Sequence, residues 1–107
     1  MKKIAIGVCE RINGICTTMG CFNAYNQRTK YFEVYGEMPL ELAAFFTCNK
    51  CTKGDYQDVE MIANKLLEAG VEIVHLGICV KKCEIDEMDR IKEIFESKGL
   101  KVVEGTH

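Results

Sequence analysis

A chain of 107 residues, 48% of them apolar, holds enough hydrophobic material for one domain with a core, which excludes disorder as the main reading. Lys and Arg total 14 against 16 Asp and Glu, a formal net charge of −2, so neither nucleic acid nor an anionic membrane meets a basic footprint. Glu41, Glu72 and Lys81 cut the best apolar runs well short of the roughly 18 residues a membrane span needs.

In chain order, Ile4 to Cys9 is a continuous apolar run of strand length, as expected for a strand covered on both faces. Behind its two Lys it is also too short for an export signal, and the sequence predicts a cytoplasmic protein. The stripe of Phe22, Tyr25 and Phe32 predicts a helical segment from Cys21 to about Tyr35. A second strand, Leu40 to Phe46, follows Pro39. Val59, Ile62, Ala63, Leu66 and Leu67 fall at helical spacing, with Asp55 as the expected N-cap and Gly70 as the left-handed stop. The β-branched run Val71 to Cys79 predicts a third strand. A helix from about Asp86 to Lys98 then turns Met88, Ile91, Ile94 and Phe95 inward and ends at Gly99. Leu100 to Glu104 closes the pattern as a fourth strand.

Strands alternating with helices over short connections predict an α/β fold: a small parallel sheet of four strands with helices on both faces, flavodoxin-like or Rossmann-like. The expected strand order is 2-1-3-4, in one domain over residues 1–107. That order leaves the first helix alone on one face, and the thin cover there suggests a homodimer contact.

Seven Cys in so short a chain is the unusual feature. An odd count cannot pair completely in disulfides, and disulfide scaffolds lack such long regular apolar segments. In a reducing compartment, metal binding, thiol chemistry and buried structural Cys remain. Placement favours the first two. Cys9 ends the first strand, Cys48 and Cys51 follow the second, Cys79 ends the third, and His107 lies just past the fourth. Cys16 and Cys21 are expected in the loop after the first strand, and Cys83 in the loop after the third. Strand ends of a parallel sheet point one way, toward the crevice where open α/β folds bind ligands. All seven Cys and the terminal His are therefore expected on one rim.

Cys48-Asn49-Lys50-Cys51 is a C-x2-C knuckle, and Cys79 to Cys83 is C-x3-C, both within zinc-ligand spacing. Together they supply four thiolates, with Cys9, Cys16, Cys21 and His107 as further candidates. A C-x2-C at a helix start also suits thiol redox chemistry, because the dipole, Lys50 and Lys53 would lower a thiol pKa. The only Pro is Pro39, upstream of the motif, so a thioredoxin-type site has no Pro at a later strand to flank the dithiol. A phosphatase loop fails too, since Ile15 and Gly54 stand where its Arg would be. No G-x-G-x-x-G follows the first strand. His75, four residues before Cys79 and about 13 Å from it in an extended strand, is expected to be a satisfied core or edge residue.

The ordered set Cys9, Cys16, Gly20-Cys21, Phe45-Phe46-Thr47-Cys48-x-x-Cys51, His75-Leu76, Cys79, Cys83 and Val103-Glu104-Gly105-Thr106-His107 resembles the CGGC domain family over essentially the whole chain. These are small prokaryotic domains named for a central Cys-Gly-Gly-Cys. Their recurring Cys and His have been taken to suggest zinc binding, with no established activity. The resemblance implies metal binding at Cys48, Cys51 and the other matching Cys, without implying a reaction. Asn49-Lys50 stand here where two Gly are usual.

These readings converge on a cysteine-rich metal-binding protein. Cys48, Cys51, Cys79 and Cys83 are the first-choice ligands, zinc is the default ion, and an iron–sulfur cluster is the alternative. Two other functions compete with it. One is a thiol-disulfide or small-oxidant reductase using Cys48 and Cys51. The other is a regulatory or interaction domain whose metal is purely structural.

Overall fold

The computed structural model of the protein describes residues 2–9, 18–48, 57–77 and 88–106. Four strands, β1 (Lys2–Cys9), β2 (Leu40–Cys48), β3 (Ile73–Leu76) and β4 (Lys101–Glu104), form one sheet in the order β2-β1-β3-β4. All three pairings are parallel. The helices are α1 (Met19–Gln27), α2 (Gln57–Glu68) and α3 (Met88–Ser97), with a 3-10 helix at Lys30–Tyr35. Fold class and strand order are those the alternating pattern predicts.

Two apolar layers flank the sheet. On one face α2 and α3 bury Val59, Ala63, Leu66, Ile91, Ile94 and Phe95 against Ala5, Val74, Leu76 and Val102. On the other face Cys21 and Ala24 of α1 and Phe32 of the 3-10 helix pack on Ile4, Ile6, Val8 and Ile73. The expected single long helix after β1 is thus two short ones. Arg28 takes a left-handed conformation (φ 55°), and the Thr29 N–H donates to the Ala24 carbonyl at 3.0 Å, the capping pattern that ends an α-helix. The Arg28 guanidinium then bonds the carbonyls of Gly36 (3.1 Å) and Met38 (2.8 Å), tying down the turn that leads into β2. Because the 3-10 helix covers this face beside α1, the face is not thinly covered, and that ground for a dimer falls away.

Both glycine stops act as predicted. Gly70 (φ 87°) and Gly99 (φ 99°) end α2 and α3, and the next residues, Val71 and Leu100, are buried and bonded back to Leu66 and Phe95. Of the predicted inward faces, Leu67 is 38% exposed, on the flank of α2. The proposed Asp55 cap and the start of the last helix at Asp86 lie outside the described residues.

The register of β2 carries the least expected feature. Ile4 pairs with Leu42 but Ala5 pairs with Ala44, so Ala43 is an extra residue, a bulge in β2. One extra residue reverses which face the following side chains meet. Leu40 and Leu42 accordingly pack on the α1 side, whereas Ala44 and Phe46 pack on the α2/α3 side. Beyond the bulge the ladder runs in step to its end, where Cys9 pairs with Cys48. No helix among the described residues is long and apolar enough to cross a membrane.

Candidate functional site

The C-terminal edge of the sheet begins with that last pair. Neighbouring strands lie about 4.8 Å apart, so the register sets the Cys9 and Cys48 α-carbons about one strand spacing apart at the ends of β1 and β2. Zinc–sulfur bonds are about 2.3 Å long, so two thiolates borne at such a separation can share an ion. Soft sulfur donors suit zinc, copper(I) or iron–sulfur chemistry, and this part of the donor set fits the group that the spacing suggests.

The remaining predicted ligands divide. Cys16, Cys51, Cys79, Cys83 and His107 lie outside the described residues, and no group of three metal-ligating side chains occurs among the described ones. Cys21 is described, and it corrects an expectation. It sits in the first turn of α1 on that helix's buried face, not in a loop, and is 3% exposed. Its Sγ lies 3.0 Å from the Thr106 hydroxyl, which is fully buried.

Under the rim, on the α2/α3 side, lies an apolar hollow of about 270 Å³, partly open to solvent, whose lining includes Gly7, Phe46, Val59, Leu76, Ile91 and Phe95. The Phe46 ring lies across β1 where Gly7 has no side chain, and a Cβ there would overlap it. Phe46 also meets Phe95 edge-on at 5.7 Å, which fixes the ring from its other side.

On the α1 side lies a polar cluster that reading the sequence did not assemble. His75, in the middle of β3, is fully buried. Its ring stacks on Phe32 at 4.3 Å. His75 Nδ1 is 3.0 Å from the Gly105 carbonyl oxygen, and Nε2 is 2.6 Å from the Tyr35 hydroxyl. A carbonyl can only accept, so Nδ1 carries the proton; in a neutral ring Nε2 is then bare and accepts from the tyrosine O–H. Burial holds the imidazole below its ordinary pKa. The Gly105 hydrogen bond opposes that shift, and the charge of Lys101 adds to it. Burial likewise raises the Tyr35 phenol above its usual range.

His75 is therefore the satisfied core residue the sequence suggests, with both partners now identified. A histidine inside an apolar run on a doubly covered strand must partner both ring nitrogens. That rule signals that two partners exist, but it does not name Tyr35 and Gly105, which come from distant parts of the chain.

With this geometry in view, the comparison with known families is decisive. The model described as the CGGC domain matches residues 3–107. The chain belongs to the CGGC domain family. No curated protein and no solved structure matches it. For this CGGC domain the family motif falls at Cys48-Asn49-Lys50-Cys51, directly beyond the strand end where Cys48 pairs with Cys9.

Proposed function

We propose that this CGGC domain binds a thiophilic metal ion, zinc by preference, through cysteine thiolates at the C-terminal edge of its sheet. The observation that carries the reading is the Cys9–Cys48 register pair, which brings together two cysteines that are 39 positions apart in sequence. Cys51, Cys79 and Cys83 complete the proposed ligand set. Cys16, Cys21 and His107 are further candidates, and an iron–sulfur cluster is the alternative occupant. We read the protein as a one-domain occupant of the reducing cytosol, where thiols stay available as ligands. Bound metal would supply a fixed positive centre that holds the loops beyond β1, β2 and β3 together. Because metal binds only the folded chain with its thiols deprotonated, it would stabilise the fold, increasingly so as pH rises.

The test is elemental analysis and absorption spectroscopy of anaerobically purified protein. About one equivalent of zinc or more per chain is expected, reduced at least tenfold in a Cys9→Ser/Cys48→Ser variant that remains folded. Less than about a tenth of an equivalent of any metal in the folded protein overturns the reading.

The same register favours a second reading. A separation of about 4.8 Å falls within the range of α-carbon distances found in disulfides, about 4.4–6.8 Å. In that reading the Cys48 thiolate attacks a disulfide of a partner molecule, and Cys51 or Cys9 then displaces the mixed disulfide. Two thiols become one disulfide, and two electrons and two protons pass to the partner, which leaves as a dithiol. A Cys48 pKa near the free-thiol value of about 8.5 would count against it.

A further inference from the structure

We propose that Tyr35, His75 and Cys21 are positioning residues that hold the end of the chain, so that His107 is presented as a ligand to the metal bound by the rim thiolates. The proposal rests on the metal-binding reading above. A chain end ordinarily frays unless something ties it down. Here β4 stops at Glu104, yet the two residues after it are buried and Thr106 is fully so.

Each is held by a different element. His75 of β3 donates to the Gly105 carbonyl at 3.0 Å, and the Thr106 hydroxyl meets Cys21 of α1 at 3.0 Å. Tyr31 of the 3-10 helix closes the segment from another side. Its ring lies so near Gly105 that an added Cβ would come within 2.5 Å of it, and the backbone there has φ 148°. The Tyr35 hydroxyl, 2.6 Å from Nε2, locks the tautomer in which His75 donates to Gly105.

A stacked aromatic or aliphatic side chain would fill the His75 position without needing two polar partners. What imidazole adds is a directed grip on one carbonyl. Consecutive α-carbons are about 3.8 Å apart, so fixing Thr106 confines His107 to a small shell around a fixed point. That point is on the ligand-bearing edge, because Cys21 packs in the same cluster as Val8, the residue before Cys9. Partners that orient a ligand from behind typically change metal affinity about 10–100-fold when removed.

The experiment measures zinc affinity of the full chain, anaerobically, by competition with a chromophoric chelator. It also follows hydrogen exchange of the Gly105 and Thr106 amides in metal-free protein. Tyr35→Phe and Thr106→Val should each weaken zinc binding about tenfold and speed exchange at these amides. Thr106→Ser, which keeps the hydroxyl, should restore both. In a His107→Ala background, itself weakened, Tyr35→Phe should cause no further loss of affinity. Ile91→Val, in the opposite layer, controls for general loosening and should leave affinity unchanged.

Unchanged exchange in Tyr35→Phe and Thr106→Val overturns the proposal, as does an equal affinity loss with and without His107. If zinc binds the wild type and His107→Ala equally well, this proposal fails while the thiolate reading stands. If the wild type binds no zinc, both fail.

Discussion

Gly105→Ala is the sharpest test of how the chain end is held, because two separable costs meet at one atom. The backbone φ of 148° lies in a region that L side chains rarely adopt, which costs about 1–3 kcal/mol. The new Cβ would also fall 2.5–2.6 Å from three ring carbons of Tyr31. That ring is 46% exposed and can swing outward. Losing about 40 Å² of its buried apolar surface, at about 25 cal/mol/Å², costs about 1 kcal/mol. The sum is a destabilisation of about 2–4 kcal/mol, read from the urea midpoint with the slope unchanged. Pairing the substitution with Tyr31→Ala separates the costs. The double variant should recover only the steric part, about 1 kcal/mol relative to the sum of the two singles. A Gly105→Ala cost below about 0.5 kcal/mol would refute the reasoning, and complete rescue by Tyr31→Ala would show that the backbone conformation carries no strain.

Other consequences follow from the two packed layers. Phe32→Ala should cost about 3–5 kcal/mol in chemical denaturation, since the ring is fully buried between His75 and Tyr25; a loss under about 1 kcal/mol would mean the 3-10 helix is not part of the core. Gly7→Ala should destabilise by about 1–3 kcal/mol because Phe46, braced by Phe95, has little room to retreat, and adding Phe46→Leu should recover most of it. Stability should also depend on pH through His75. Its folded pKa lies below the unfolded value of about 6.5, so the unfolded chain binds more protons in the window between the two. Stability is then full above about pH 6.5 and falls as pH drops toward the folded pKa. Urea midpoints measured from pH 7.5 downward should show this slope, and His75→Gln should flatten it; identical slopes in the two proteins would assign the acid sensitivity elsewhere.

How much of this was legible in the sequence varies by element. The strands and their order follow from apolar runs alternating with amphipathic stretches, and Gly70 and Gly99 mark helix ends because few other residues take positive φ at no cost. The helix after β1 misled because it stops at Arg28, a left-handed non-glycine residue whose role emerges only from its bonds to Gly36 and Met38. The bulge at Ala43 was invisible for a related reason. LELAAFF has no glycine to announce it, and only pairing with β1 shows that Leu42 and Ala44 serve opposite faces. For the site, the strand-end positions of Cys9 and Cys48 were legible from topology alone. The helical place of Cys21 was not, because the residues before it carry no apolar periodicity to mark where the helix begins. Thr106 was passed over since a small polar residue next to a chain end normally faces water.

The bulge also bears on how the molecule behaves at high concentration. β2 lies at the edge of the sheet, and a long apolar edge strand is a template on which other chains can add strand by strand. Ala43 interrupts that template near its middle. An incoming strand that matched Leu40 to Leu42 would be out of step from Ala44 onward, so neither half offers a long enough run of unpaired backbone groups to capture it. Deleting Ala43 would keep Cys48 opposite Cys9 while straightening the edge. The deleted form should keep its core and lose solubility.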